Sequence, residues 1–134
     1  MNLLSKNQLK LYGLENNLNE LIKLYDNKKL PNKILLSGQK GIGKCTLAYH
    51  LINYILSKDE EFPYHLNSSS INKENRSYKL IQNGSNMNFA LIDILADKKN
   101  IDISQIRDLI LVLNKSSFNT KPRIVLFDNI EFLN

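Results

Sequence analysis

Apolar and polar positions alternate along the chain with two different periods. Leu14, Leu18, Leu21, Ile22 and Tyr25 recur at helical spacing, and the polar, proline-containing stretch Asn27-Lys28-Lys29-Leu30-Pro31-Asn32 ends that helix. Lys33-Ile34-Leu35-Leu36-Ser37 is a short apolar run bounded by turn residues, which predicts a buried parallel strand. From Lys44 to Lys58 the positions Leu47, Ala48, Leu51, Ile52 and Ile55 form a wide stripe, so a second helix with a broad buried face, packed on a sheet, is expected. Between Asp59 and Asn88 the chain turns polar and reads as a long connection with at most one short helix near Tyr78 to Gln82. Phe89-Ala90-Leu91-Ile92-Asp93 predicts a second strand. Ile103, Ile106, Leu109, Ile110 and Leu113 mark a third main helix, with Asp102 and Gln105 as its capping box. Arg123-Ile124-Val125-Leu126-Phe127 predicts a third strand, ending at Asp128-Asn129. Strands alternating with helices imply an α/β fold of three layers with a mainly parallel sheet.

Composition narrows the class without choosing a function. At 134 residues the chain is one domain's worth of sequence, long enough to remove about two-thirds of its unfolded surface from water. No apolar run approaches the roughly 20 residues that span a bilayer, and the N-terminus lacks a basic segment followed by an apolar one. A cytoplasmic protein with no membrane partner is therefore expected. Eighteen Lys and Arg against thirteen Asp and Glu give a net charge of +5. The basic residues are scattered, so the excess fits a Lys- and Asn-rich surface as well as a face for DNA. The single cysteine excludes an internal disulfide and a Cys-x-x-Cys zinc knuckle. His50 and His65 are isolated and read as surface or partly buried imidazoles rather than metal ligands.

The chemistry concentrates between the first predicted strand and the helix after it. Gly38-Gln39-Lys40-Gly41-Ile42-Gly43-Lys44 is a phosphate-cradling loop whose amides and following helix dipole favour negative charge, with Lys44 adding a mobile positive charge. The next residue is normally Ser or Thr, whose hydroxyl holds Mg²⁺, but here it is Cys45. Mg²⁺ is a hard ion that prefers oxygen to sulfur, so Cys45 is a poor substitute. Thr46 is turned by roughly 100° around the helix and is not expected to reach the same ion. Two readings of Lys44 stay open: a phosphate clamp, or a relic of a loop that only joins strand to helix. Cys45 reads as a small filler or as a thiolate favoured by the dipole. Asp128 stands where an acidic residue at a strand tip orients Mg²⁺, and it reads equally as a turn residue. The position after it, where a glutamate activates water, holds Asn129, which cannot accept a proton. Glu131 reads as a surface residue.

Taken together, these motifs resemble the delta-prime family of bacterial DNA polymerase III clamp-loader subunits, in the AAA+ group. Leu11-Tyr12-Gly13 resembles that family's N-terminal box, and Lys29-Leu30-Pro31-Asn32 stands ahead of the first strand as in its members. Gly41-Ile42-Gly43-Lys44-Cys45-Thr46-Leu47-Ala48 resembles its Gly-Ile-Gly-Lys-Ala-Thr-Leu-Ala loop. Ile101-Asp102-Ile103-Ser104-Gln105-Ile106-Arg107 resembles Ile-x-Val-Asp-Gln-Ile-Arg, and Asp128-Asn129-Ile130-Glu131-Phe132-Leu133-Asn134 resembles Asp-x-Ala-Glu-x-Leu-Asn. The resemblance implies a partial AAA+ P-loop domain over residues 1–134. Its lid, arginine finger and C-terminal oligomerisation domain would lie past Asn134, so a truncated reading frame is expected.

The resemblance further implies a non-hydrolysing subunit that helps load the sliding clamp onto primed DNA. Its partners would be the gamma/tau and delta subunits and the clamp, with DNA reached through the assembled complex. The degenerate nucleotide site would comprise Gly38, Gln39, Lys40, Gly41, Ile42, Gly43, Lys44, Cys45 and Thr46, with Asp128 in the position of the second acidic motif. No catalytic residue, no metal and no required cofactor are expected, and Mg²⁺ is not; weak ATP binding is compatible with the loop. The alternative is an active gamma/tau-like ATPase of the same machinery, using Lys44 and Asp128.

Overall fold

A computed structural model describes residues 5–31, 43–93 and 122–128. The chain divides into two compact units, Met1–Gly84 and Ser85–Asn134. The predicted strand at 33–37 and the predicted helix around 103–113 lie outside the described residues.

In the first unit a 3₁₀ turn at Ser5–Asn7 precedes α1 (Glu15–Asp26), α2 (Lys44–Leu56) and α3 (Arg76–Gln82). Helix α1 buries Leu18 and Ile22, four residues apart on one face, as its periodicity requires. It ends in a Schellman motif: the Lys28 N–H donates to Tyr25 O at 3.0 Å and the Lys29 N–H to Leu24 O at 2.8 Å. Lys28 takes the left-handed conformation at φ 58°, a position usually given to glycine. Helix α2 is the centre of the unit. Its residues Leu47 to Asn53, Ile55 and Leu56 are buried, so it is covered on nearly all sides rather than along one stripe. Among the described residues, α1, the 3₁₀ turn and α3 pack on it.

The stretch from Asp59 to Asn88 is, as expected, a long connection with one short helix, α3, but several of its residues are buried in this core. Tyr64 and Ile71 are buried with the helix residues, and a tight turn at 65–70 is closed by paired bonds, His65 N–H to Ser70 O at 2.9 Å and Ser70 N–H to His65 O at 3.1 Å. An isolated bridge ties it to the N-terminal segment: the Ile71 N–H donates to Leu9 O at 2.7 Å and the Leu11 N–H to Ser69 O at 3.0 Å. Leu11 of the N-terminal box is buried, whereas Tyr12 beside it is 74% exposed, with Lys10 over its ring.

Buried polar groups hold this stretch in place. Asn53 and Asn75 exchange two amide bonds, Asn75 Nδ2 to Asn53 Oδ1 at 2.9 Å and Asn53 Nδ2 to Asn75 Oδ1 at 3.2 Å. Asn75 also caps α3 by accepting from the Tyr78 N–H at 2.7 Å. The Ser57 hydroxyl donates to Asn53 Oδ1 and accepts from the Tyr64 N–H. A network in which each member finds partners can be buried without the penalty of an orphaned group.

In the second unit β1 (Phe89–Asp93) pairs in parallel with β2 (Ile124–Asp128), in the register Phe89 to Ile124 through Asp93 to Asp128. Parallel neighbours cannot be joined by a two-residue hairpin, and residues 94–123 separate these two in sequence. The Ile124 N–H bonds Asn88 O at 2.8 Å just ahead of the ladder, and Asn88 Nδ2 reaches Pro122 O at 3.3 Å. These bonds tie the starts of the two strands together.

Candidate functional site

The site begins at the N-terminus of α2, where local backbone chemistry sets the geometry. Gly43 is the N-cap, in the left-handed conformation at φ 84° and ψ 20°. An L residue is strained at that φ, so glycine suits the turn into the helix. Lys44, Cys45 and Thr46 follow as the first three helical residues, all half-buried. The first bond within the helix runs from the Leu47 N–H to Gly43 O at 2.9 Å. The amides before Leu47 therefore have no carbonyl of their own helix to donate to. No acidic side chain occupies the first turn. The end of a 13-residue dipole is thus left positive, an arrangement suited to a phosphate or another anion.

Immediately behind this turn, the buried run from Leu47 to Asn53 anchors the helix. Among these residues His50 corrects the sequence expectation of a surface or partly buried imidazole: it is 0% exposed. Its Nε2–H donates to Gln8 O at 2.9 Å, since a carbonyl can only accept, which leaves Nδ1 to accept from the Tyr64 hydroxyl at 2.6 Å. This pair of bonds suits the neutral ring, and burial lowers the His50 pKa against the raising effect of the Gln8 carbonyl. Burial in turn pushes the Tyr64 phenol upward. His50 is thus a structural clip between α2, the N-terminal segment and the 65–70 turn. His65 is exposed.

Of the other predicted site residues, Gly38, Gln39, Lys40, Gly41 and Ile42 lie outside the described residues, as do Asn129 and Glu131. Asp128 is the last residue of β2, in register with Asp93 at the end of β1. Strand ends at the carboxyl edge of a parallel sheet are where open α/β folds bind ligands. Asp93 was not singled out from the sequence, although both apolar runs finish in aspartate, and that shared ending was the available signal.

A separate surface cluster joins the ends of α1 and α2. Lys58 Nζ lies 3.1 Å from Asp26 Oδ1 and sits over the rings of Tyr25 and Tyr54, while the Tyr54 hydroxyl donates to Asp26 at 2.9 Å. Burial and the Asp26 carboxylate raise the Tyr54 pKa, and the hydrogen bond to Asp26 raises that of Lys58. With its charges matched internally, this cluster reads as a clasp between helices. Among the described residues no group of three or more His, Cys, Asp or Glu converges on a common point, and no helix is long and apolar enough to cross a membrane.

Comparison with known proteins gives one family. A model described as DNA polymerase III, delta subunit, matches residues 13–134. No curated protein and no solved structure matches the chain. The matched span takes in α1, α2, α3 and both strands, together with the loop ahead of Lys44. The chain belongs to the DNA polymerase III delta subunit family, a family of clamp-loader-related subunits of the replication machinery.

Proposed function

We propose that this chain is a non-hydrolysing, delta-prime-like subunit of the clamp loader, whose α/β domain docks beside ATPase neighbours of the gamma/tau type and the delta subunit. In that role it helps place the sliding clamp on primed DNA in the cytoplasm, touching DNA only through the assembled complex. The observation that carries the reading is Cys45, the second residue of α2, directly after Lys44 at a helix start otherwise suited to phosphate. A thiol there offers sulfur where a hard divalent ion is held through a hydroxyl oxygen. Family membership over 13–134 supports the setting in replication, and the parallel β1–β2 pair is compatible with an AAA+-like α/β domain, which on this reading takes in residues 1–134.

On this reading the chain's own residues bind and position rather than catalyse. The amides at the start of α2 and the Lys44 ammonium would hold phosphate oxygens, and Gly43 would set the turn that aims them. Gly38 to Ile42 would complete the cradle and Thr46 would support the helix start. Asp128 would keep a strand-end position without a base beside it, since Asn129 cannot accept a proton. Titration calorimetry with ATP, in the presence and absence of Mg²⁺, tests this directly when paired with a phosphate-release assay. Weak or no binding that is indifferent to Mg²⁺, with no turnover, supports the proposal. Tight Mg²⁺-dependent binding with steady turnover that Lys44→Ala abolishes overturns it in favour of an active ATPase.

A further inference from the structure

The geometry points to Asn83 as a site of spontaneous covalent modification, in which its side-chain amide is lost and the chain is rerouted through isoaspartate. Asn83 is followed by Gly84, and no other asparagine in the chain precedes glycine. The reaction needs the backbone nitrogen of the following residue to reach the asparagine Cγ, and any Cβ on that residue obstructs the approach. Gly84 has none, and the space beside its Cα is open, since a Cβ built there would meet nothing within 4 Å. Both residues are exposed to water, which the second step consumes.

Asn83 stands at φ −97° and ψ 5°, which turns the Gly84 nitrogen away from Cγ, so the reaction requires this turn to open. Asn83 is the C-cap of α3, a helix of only seven residues, and Gly84 follows in the left-handed conformation at φ 76°. The bonds holding this turn, Asn83 N–H to Lys79 O and Gly84 N–H to Ile81 O, are both 3.2 Å long and lie at a helix end, where fraying is easiest. Opening the second bond releases the nucleophile. The Gly84 nitrogen then bonds to Cγ of Asn83 and gives up its proton, and the side-chain nitrogen leaves as ammonia, closing a five-membered succinimide. Water adds to that ring without any oxidation or reduction. Opening at the side-chain carbonyl gives aspartate, and opening at the main-chain carbonyl gives isoaspartate, which carries one extra carbon in the backbone. Either product places a carboxylate at the negative end of α3, where the helix dipole disfavours it. The neighbouring bond from Gln82 Nε2 to Lys6 O, which ties α3 to the N-terminal segment, would be loosened in consequence.

The test is peptide mapping of the full chain after incubation in mildly alkaline buffer, with enzymatic methylation to mark isoaspartate. The peptide containing Asn83 is expected to gain about one mass unit and to accept the methyl label. Its conversion is expected to be about tenfold faster than at any other asparagine, because only there is the Cβ obstruction missing. In an Asn83→Gln variant the label at this position is expected to vanish. An Asn83 that stays intact in the folded chain but converts in denaturant would mean that the end of α3 protects it, and would overturn the proposal. Faster conversion at any other asparagine would do the same.

Discussion

At its C-terminal end α2 gives its polar side chains to neighbouring elements, whereas at its N-terminal end the helix start remains half-exposed. Asn53 and Ser57 bond Asn75 and the Tyr64 backbone inside the core, and Lys58 closes on Asp26 just outside it. Gly43, Lys44, Cys45 and Thr46 sit instead at a positive helix end that carries no acidic side chain in its first turn. One end and the middle of the helix thus hold the unit together, while on the proposed function the other end offers a charge pattern to an anion. The difference predicts that substitutions at the C-terminal end act on stability. At the N-terminal end, on the proposed function, they act on nucleotide binding and leave the fold intact.

The strongest test of that division is Asn75→Ala. It removes the α3 cap, worth about 1 kcal/mol, and leaves the Asn53 amide short of partners in the core, at a further 1–3 kcal/mol or so. A loss of about 3 kcal/mol in denaturant unfolding is expected, with nucleotide binding of the remaining folded protein unchanged. A variant as stable as the parent would show that the buried amide pair does not hold the 57–75 stretch.

The next effect is one of pH and concerns the middle of the helix. Burial holds the folded pKa of His50 below its ordinary value of 6.5, so over the interval between the two the unfolded chain binds more protons than the folded one. Stability from the neutral ring is therefore complete above 6.5, falls as pH drops through that interval, and levels off below the folded pKa. Denaturant midpoints measured across this range should decline on acidification, and a His50→Gln variant should lose that slope. A parent protein that gains stability on acidification through this window would contradict the neutral, clipped imidazole.

Much of this architecture was legible in the periodicity. Leu18 and Ile22 on α1, the apolar run of α2 and the two apolar strands were all marked by spacing alone. The polar interior was not. Asn53, Ser57, Asn75 and Ser77 belong to residue types that most often cap, turn or face water, so nothing in their spacing marked them as buried. Their tertiary partners, Asn53 with Asn75, Ser57 with the Tyr64 backbone and Ser77 with Glu60, let them enter the core. His50 was hidden for the same reason, because its two partners, Gln8 and Tyr64, are distant in sequence. At the candidate site the reverse held. A helix opening at Lys44 is a local feature, and the glycine-lysine motif announced it.

A smaller effect belongs to Lys58. The Lys58 and Asp26 side chains are 51% and 41% exposed, so water and salt screen their attraction, and the lysine's position over Tyr25 and Tyr54 adds only a modest cation–π contribution. Lys58→Ala is expected to cost less than about 1 kcal/mol, and the cost should shrink as ionic strength rises. A large, salt-insensitive loss would instead make the clasp part of the core.

The smallest effect on stability, and the sharpest contrast, is expected from Cys45→Ser. Serine and cysteine have similar helix propensities, and the residue is half-buried in the first turn, so unfolding should shift by no more than about 0.5 kcal/mol. The same exchange replaces a soft sulfur with the oxygen that a hard divalent ion prefers. On the proposed function, ATP affinity should then become dependent on Mg²⁺, gaining about tenfold, equivalent to 1.4 kcal/mol, over its value without the ion. Hydrolysis should remain absent, because Asn129 still supplies no base. If Cys45→Ser unfolded the protein, the helix start would belong to the core like the other end of α2. If it restored turnover as well as Mg²⁺ dependence, the missing hydroxyl alone would separate this chain from an ATPase.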